Sequence, residues 1–175
     1  EINLDEVLKI YQQSFIDDWY PDRATRDKYF AQGVNSLKNF YEKYKNNWPQ
    51  TLYLEYPFNW RLKTEQASYT LYGVIDRLDQ VEGGIRIVDY KTGAAKDKLE
   101  LADKEQLIIY QLAVQEVLHE PVKELVFYYL DDNKAISFLG TAKELEKIKA
   151  KILTNIDGIK AGEFPSKPGL VCKYC

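Results

Sequence analysis

The 175-residue chain has no methionine, one histidine and only two cysteines. It begins Glu1-Ile2-Asn3, so it reads as a piece of a longer protein rather than a whole translated frame. Cys172 and Cys175 both fall in the last four positions, so the chain stops inside or just after a Cys-x-x-Cys. No apolar run approaches the roughly 18 to 20 residues of a membrane span, and no segment resembles a signal peptide. The default address is the cytoplasm, with no membrane partner. Lys91-Thr92-Gly93 lacks the glycines of a phosphate-cradling P-loop. No Ser-x-x-Lys accompanies it, which excludes a penicillin-recognising enzyme. Nor is there an excess of basic residues: net charge is −3 and the pI near 5.4, unlike many nucleic-acid binders. Active-site acids lower such a balance, and a partner domain can supply much of the grip on phosphate.

What is present describes a soluble globular domain, with 45% hydrophobic and 29% charged residues. The length suits one domain with a substantial core. We expect a single domain over 1–175, with a helical N-terminal part (1–48), a core (51–140) and a C-terminal helix with a cysteine-bearing tail (141–175).

Asn3 and Glu6 suit the start of a helix. Leu4, Val7, Leu8, Tyr11 and Phe15 keep helical spacing as far as Trp19, before Pro21. A second helix fits Ala24 to Tyr44. Leu52, Leu54, Tyr56, Phe58 and Trp60 then alternate as in a strand. Ser68 to Asp79 and Ile85 to Lys91 form two more strands around a tight Glu82-Gly83-Gly84 turn, giving an antiparallel meander. A charged loop leads into a helix from about Asp103 to Leu118. Lys123 to Leu130 is a further strand, turned by Asp131-Asp132-Asn133 into a short edge strand ending at Phe138. Thr141 to Glu144 forms a capping box that opens a last helix, running to about Ala161. The expected fold class is α/β, a mixed central sheet with a crossover helix between its third and fourth strands.

Chemistry concentrates in the meander. Asp89 and Lys91 stand two apart on a strand, so their side chains leave the same face. A near-symmetric hairpin brings Asp76 opposite Asp89, and like charges so placed are unfavourable without a compensating cation. A divalent metal compensates, and hard oxygen ligands favour Mg2+ or Mn2+ over zinc. Two carboxylates holding a metal, with a lysine beside the attacked phosphate, form the set that a phosphodiesterase needs. The plainer reading makes Asp76 and Asp89 ordinary strand-end acids paired with Arg77 and Lys91. The Asp-x-Lys placed one hairpin after Ile75-Asp76-Arg77 favours the metal site.

Gly73-x-Ile75-Asp76-Arg77-x-Asp79, then Ile87-Val88-Asp89-Tyr90-Lys91-Thr92-Gly93, then Gln106-x-x-x-Tyr110 resemble the RecB-type branch of the PD-(D/E)XK nuclease superfamily. The match is strongest from Leu52 to Leu130. The resemblance implies a restriction-endonuclease-like core, with Asp76 and Asp89 as metal ligands and Lys91 as the catalytic lysine. It adds the backbone carbonyl of Tyr90 to the coordination and assigns Glu55 to an acid of the first strand. Gln106 and Tyr110, four apart on one helix face, then touch DNA or order the site. It further implies a Mg2+- or Mn2+-dependent deoxyribonuclease, expected to be an exonuclease on single-stranded DNA. That enzyme serves recombination or repair beside a helicase motor in the same polypeptide or complex. Among the fourteen tyrosines, Tyr90 and Tyr110 are candidates to stack on bases.

The sequence departs from the branch in two ways. A further metal-binding histidine usually lies on a helix ahead of the first strand, but the one histidine here, His119, follows the later helix as a capping or surface residue. The tail resembles a C-terminal cysteine motif that in some members helps bind an iron–sulfur cluster. Cys172 and Cys175 alone cannot supply four thiolates, so a cluster belongs at most to the full-length parent. Two other readings stay open. One is a non-catalytic DNA-binding or docking module with the nuclease fold; the other is a standalone RecB-like exonuclease, including the CRISPR-associated type.

Overall fold

The computed structural model describes residues 3–162, 164–166, 168–169 and 172. They form two compact units, residues 1–140 and 141–175.

The first unit opens with α1 (Leu4–Ser14), whose N-cap Asn3 accepts the Asp5 N–H at 2.9 Å. The helix stops well before Trp19, as far as the spacing carries it. Phe15 turns extended (φ −72°, ψ 121°), and its ring packs edge-on against Phe30 and flat against Tyr20. Tertiary ring contacts thus override local periodicity. Asp22 caps α2 (Arg23–Tyr44) by accepting the Thr25 N–H at 2.8 Å, and its bonds to Thr25 hold its carboxyl below the usual range. The two helices meet closely at Gly33, where a Cβ would stand 2.1 Å from the Tyr11 hydroxyl.

Strands β1 (Thr51–Lys63), β2 (Ser68–Val81), β3 (Gly84–Lys91), β4 (Val122–Tyr129) and β5 (Lys134–Phe138) form one sheet in sequential order. All neighbours are antiparallel except β3 and β4, which run parallel. A parallel pair needs a long crossover, and α3 (Leu101–Val117) supplies it. Gly84 begins β3 at φ 157°, and a Cβ there would lie 2.0 Å from the Pro121 carbonyl oxygen, which accepts the Ile85 N–H. Only glycine lets β3 start against the chain entering β4.

Leu78, Ile87 and Leu125, neighbours on one face of the sheet, and Leu107 and Ile108 of α3 are fully buried, which places a core between the sheet and α3. On the other face, Val88, Val126 and Tyr128 pack with Phe40 and Tyr44 of α2. The sheet is therefore covered by helices on both sides, which gives the expected α/β architecture of mixed sheet, meander and crossover helix. Gln111 of α3, itself buried, closes the unit by pairing with both the N–H and the carbonyl of Gly140.

The second unit contains α4 (Ala142–Lys160), opened by a reciprocal Thr141–Glu144 capping box as the sequence predicts. Ile148 and Ile152 are its buried residues. No helix among the described residues is long and apolar enough to cross a membrane.

Candidate active site

The β2–β3 hairpin sets the geometry. Arg77 pairs with Val88, so continuing the register places Asp76 opposite Asp89. The ladder stops at that point, and the Asp76 carboxylate takes the place of a backbone acceptor by receiving the Tyr90 N–H at 2.8 Å. Two acids thus meet at the end of the hairpin, as the sequence suggests.

Asp89 is 3% exposed. Burial pushes its carboxyl pKa up, Lys91 draws it down, and the nearby Asp76 raises it again. Lys91 Nζ lies 2.6 Å from Asp89 Oδ2, an ionic contact whose alignment falls short of a hydrogen bond. Lys91 also donates to Gln106 Oε1 at 2.9 Å, and Gln106 Nε2 donates to the Tyr110 hydroxyl at 3.0 Å. Residues that are separate candidates on β3 and α3 therefore form one continuous chain. Burial raises the Tyr110 pKa, with Gln106 opposing and the two acids adding to the rise. The Tyr110 ring is packed edge-on against Phe58 of β1.

Tyr90 sits between Asp89 and Lys91 but faces the other way, against Phe40 and Tyr128. Its engaged backbone group is the N–H, bonded to Asp76. Glu55 stands on β1 between the pairs Leu54–Arg77 and Tyr56–Ile75, hence across from Asp76. It is exposed and adopts φ 48°, a left-handed conformation unusual for a non-glycine residue. Among the described residues, no three His, Cys, Asp or Glu side chains converge as a metal-binding group. The structure thus brings Asp76, Asp89, Lys91, Gln106 and Tyr110 together and leaves Glu55 beside them. Cys172 is exposed and accepts the Gly169 N–H, while Cys175 lies outside the described residues. His119 is exposed, at φ 56°.

Sequence reasoning missed Arg77 and Asp79 as a unit. Asp79 is fully buried and Arg77 5% exposed. Arg77 Nε approaches Asp79 Oδ1 at 3.0 Å, Thr51 donates to the same oxygen at 2.9 Å, and Asp79 Oδ2 has no donor. Arg77 Nη1 also donates to the Tyr90 hydroxyl at 2.5 Å. The pair thus braces Tyr90, whose N–H holds Asp76. Opposite charges two apart on one strand, and so on one face, were the available signal.

The donor set suits a hard divalent cation: two adjacent carboxylates, with Asp89 Oδ2 buried and without an aligned donor.

The sequence matches the PD-(D/E)XK nuclease superfamily over residues 3–175. Similar proteins include the A subunit of an ATP-dependent helicase/nuclease from Bacillus cereus, 34% identical over 103 residues, covering 47% of this chain and 8% of that protein. The protein of the same description from Bacillus anthracis gives the same identity and the same coverage. The chain thus matches only a small part of the length of these relatives. Among solved structures, the "Crystal structure of SSO0001" aligns with TM-score 0.51 and 15% identity over 98% of this chain and 90% of that one, a likeness of fold. With the mixed sheet, the paired acids and the Asp-x-Lys lysine in place, the chain belongs to the PD-(D/E)XK nuclease superfamily.

Proposed function

We propose that the chain is a Mg2+- or Mn2+-dependent nuclease that cuts single-stranded DNA as part of a larger helicase–nuclease in cytoplasmic recombination or repair. The observation that carries this reading is the cluster at the end of the β2–β3 hairpin, where Asp76 and Asp89 meet and Lys91 is held between Asp89 and Gln106. The names of the similar Bacillus proteins support the helicase partnership.

Asp76 and Asp89 supply oxygen ligands. A divalent cation, when bound, supplies charge neutralisation at the scissile phosphate and a water acidified for attack. The Lys91 ammonium has three N–H groups. One side is committed to Asp89 and another to Gln106, leaving a donor for the phosphate or the incoming water. Gln106 fixes the lysine's rotamer and is itself anchored on Tyr110. Tyr90, locked on the opposite face by Arg77, keeps Asp76 turned toward Asp89 through its N–H.

The test is incubation of the chain with end-labelled single-stranded DNA and Mn2+. Asp89→Ala and Lys91→Ala should each lower cleavage at least about 100-fold while the circular-dichroism spectrum stays unchanged. Turnover at the unaltered rate in either variant would remove the assignment. A binding-only module is the second reading, favoured by the lack of a third convergent ligand among the described residues. DNA binding that needs no metal, without any cleavage or metal uptake, would select it.

A further inference from the structure

A groove of about 860 Å3 opens at the C-terminal ends of the parallel strands β3 and β4. One wall comes from the helical part of the first unit, including Tyr20, Lys28 and Tyr29, and the other from Tyr90, Thr92 and Asp131. The groove is distinct from the acid–lysine cluster. Tyr90 alternates along β3 with Asp89 and Lys91, so the two features reach the end of the strand from opposite faces. Open α/β sheets take ligands at the carboxyl ends of their parallel strands. A flexible polymer lying across that end touches both faces at once.

The helical wall is a ladder of rings. Phe15 and Tyr20 stack with centroids 5.6 Å apart and planes 5° apart, and Tyr20 and Tyr29 follow at 5.5 Å and 26°. Tyr29 ends the ladder: its ring stacks on Tyr20, and the residue is still 48% exposed. The neighbouring Lys28 is exposed and lines the same groove. The acid on the far wall, Asp131, is already engaged by the Gly93 N–H at 2.8 Å.

Flat rings and a flanking cation, at the strand end that carries the acid–lysine cluster on its other face, select one kind of occupant. A duplex keeps its base faces stacked inside the helix. An unpaired strand offers them, and every base has such a face. We propose that this groove holds unpaired bases of single-stranded DNA next to the scissile phosphate, with a base extending the ring ladder on Tyr29 and the backbone meeting Lys28. The proposal rests on the nuclease reading above and adds to it a base-binding subsite on α2.

The test measures binding separately from cutting. In EDTA, fluorescence anisotropy compares the chain's affinity for a labelled 12-nucleotide oligothymidylate, an abasic strand of equal length and a 12-base-pair duplex. The oligothymidylate should bind about ten-fold tighter than the abasic strand. Tyr29→Leu, which keeps bulk and loses the ring, should remove most of that difference, and Tyr29→Trp should retain it. Lys28→Ala should flatten the slope of log affinity against log salt by about 0.7. Equal affinity for the two strands, an unchanged preference in Tyr29→Leu, or no measurable binding would each overturn the proposal. Base-dependent binding without cleavage in Mn2+ would sink the nuclease reading and keep the subsite. Cleavage with base-blind binding would do the reverse.

Discussion

In β2 and β3, Arg77, Asp79 and Asp89 are at most 5% exposed, whereas no residue of α1 or α2 is buried. The two regions hold their shape by different means. The sheet encloses charge and fixes it with short polar contacts, such as Arg77 on Asp79 and Tyr90, and the Tyr90 N–H on Asp76. The helix pair is held by rings that lean on one another, from Tyr11 and Phe30 to Tyr20 and Tyr29. Water exclusion strengthens electrostatics around the buried acids of the sheet. Ring packing in the helical part leaves Tyr29 48% exposed.

The largest expected effect breaks the sheet's side of this contrast. Arg77→Met leaves the fully buried Asp79 with only Thr51 as a donor. Removing one partner of a buried ion pair costs about 3–5 kcal/mol, readable as a lower urea midpoint at constant slope. Replacing both residues with apolar ones, as in Arg77→Met with Asp79→Leu, should recover much of that loss. A single variant within about 1 kcal/mol of the parent chain would mean that the pair is not what holds the hairpin. Because Arg77 braces Tyr90, the same variant should also weaken Mn2+ uptake, measured by calorimetry on the folded protein.

These energetic features differ in how visible they are in the sequence. The strands, the Gly83–Gly84 turn and the Thr141 capping box all depend on neighbours a few residues apart and appear where the pattern puts them, although the alternation of β1 is buried only from Phe58 onward and leaves Leu52 and Leu54 exposed. The hairpin register that, continued past Arg77 and Val88, sets Asp76 opposite Asp89 follows from the same local turn. What escaped depends on distant partners. The α1 helix stops at Ser14 because Phe15 finds Phe30 and Tyr20, which no window around Trp19 reveals. Asp79 looks like one more acid at a strand end until Thr51, 28 residues away, and Arg77 enclose it. The link from Lys91 through Gln106 to Tyr110 joins β3 to α3 and becomes visible only when the crossover is folded. The left-handed backbone of Glu55 has no counterpart in its composition or spacing.

A middle-sized effect sharpens the helical side. At Gly33 an added Cβ would stand 2.1 Å from Tyr11 Oη and 2.5 Å from its Cζ, so the tyrosine must move. Gly33→Ala should therefore cost about 1–3 kcal/mol by overpacking, despite the better helix propensity of alanine. The loss should appear as faster amide exchange in α1, with β2 and β3 still protected. Slower exchange in the centre of the sheet than in the helices is the signature of two regions held on different terms. Faster exchange throughout would mean that the helix pair and the sheet open together.

The smallest expected effect separates stability from binding. Tyr29 is 48% exposed, and its ring stacks on Tyr20. A surface substitution of this kind shifts stability by about 0.5 kcal/mol or less, so Tyr29→Leu should unfold at nearly the same denaturant concentration as the parent chain. A ring kept only to hold α1 against α2 would show the opposite pattern, lost stability with unchanged affinity for unpaired bases. Unfolding and anisotropy measured on one preparation therefore tell whether the ring ladder is a brace or a platform. A platform would have its outermost ring nearly dispensable for folding, which is the trait that most distinguishes it from Arg77.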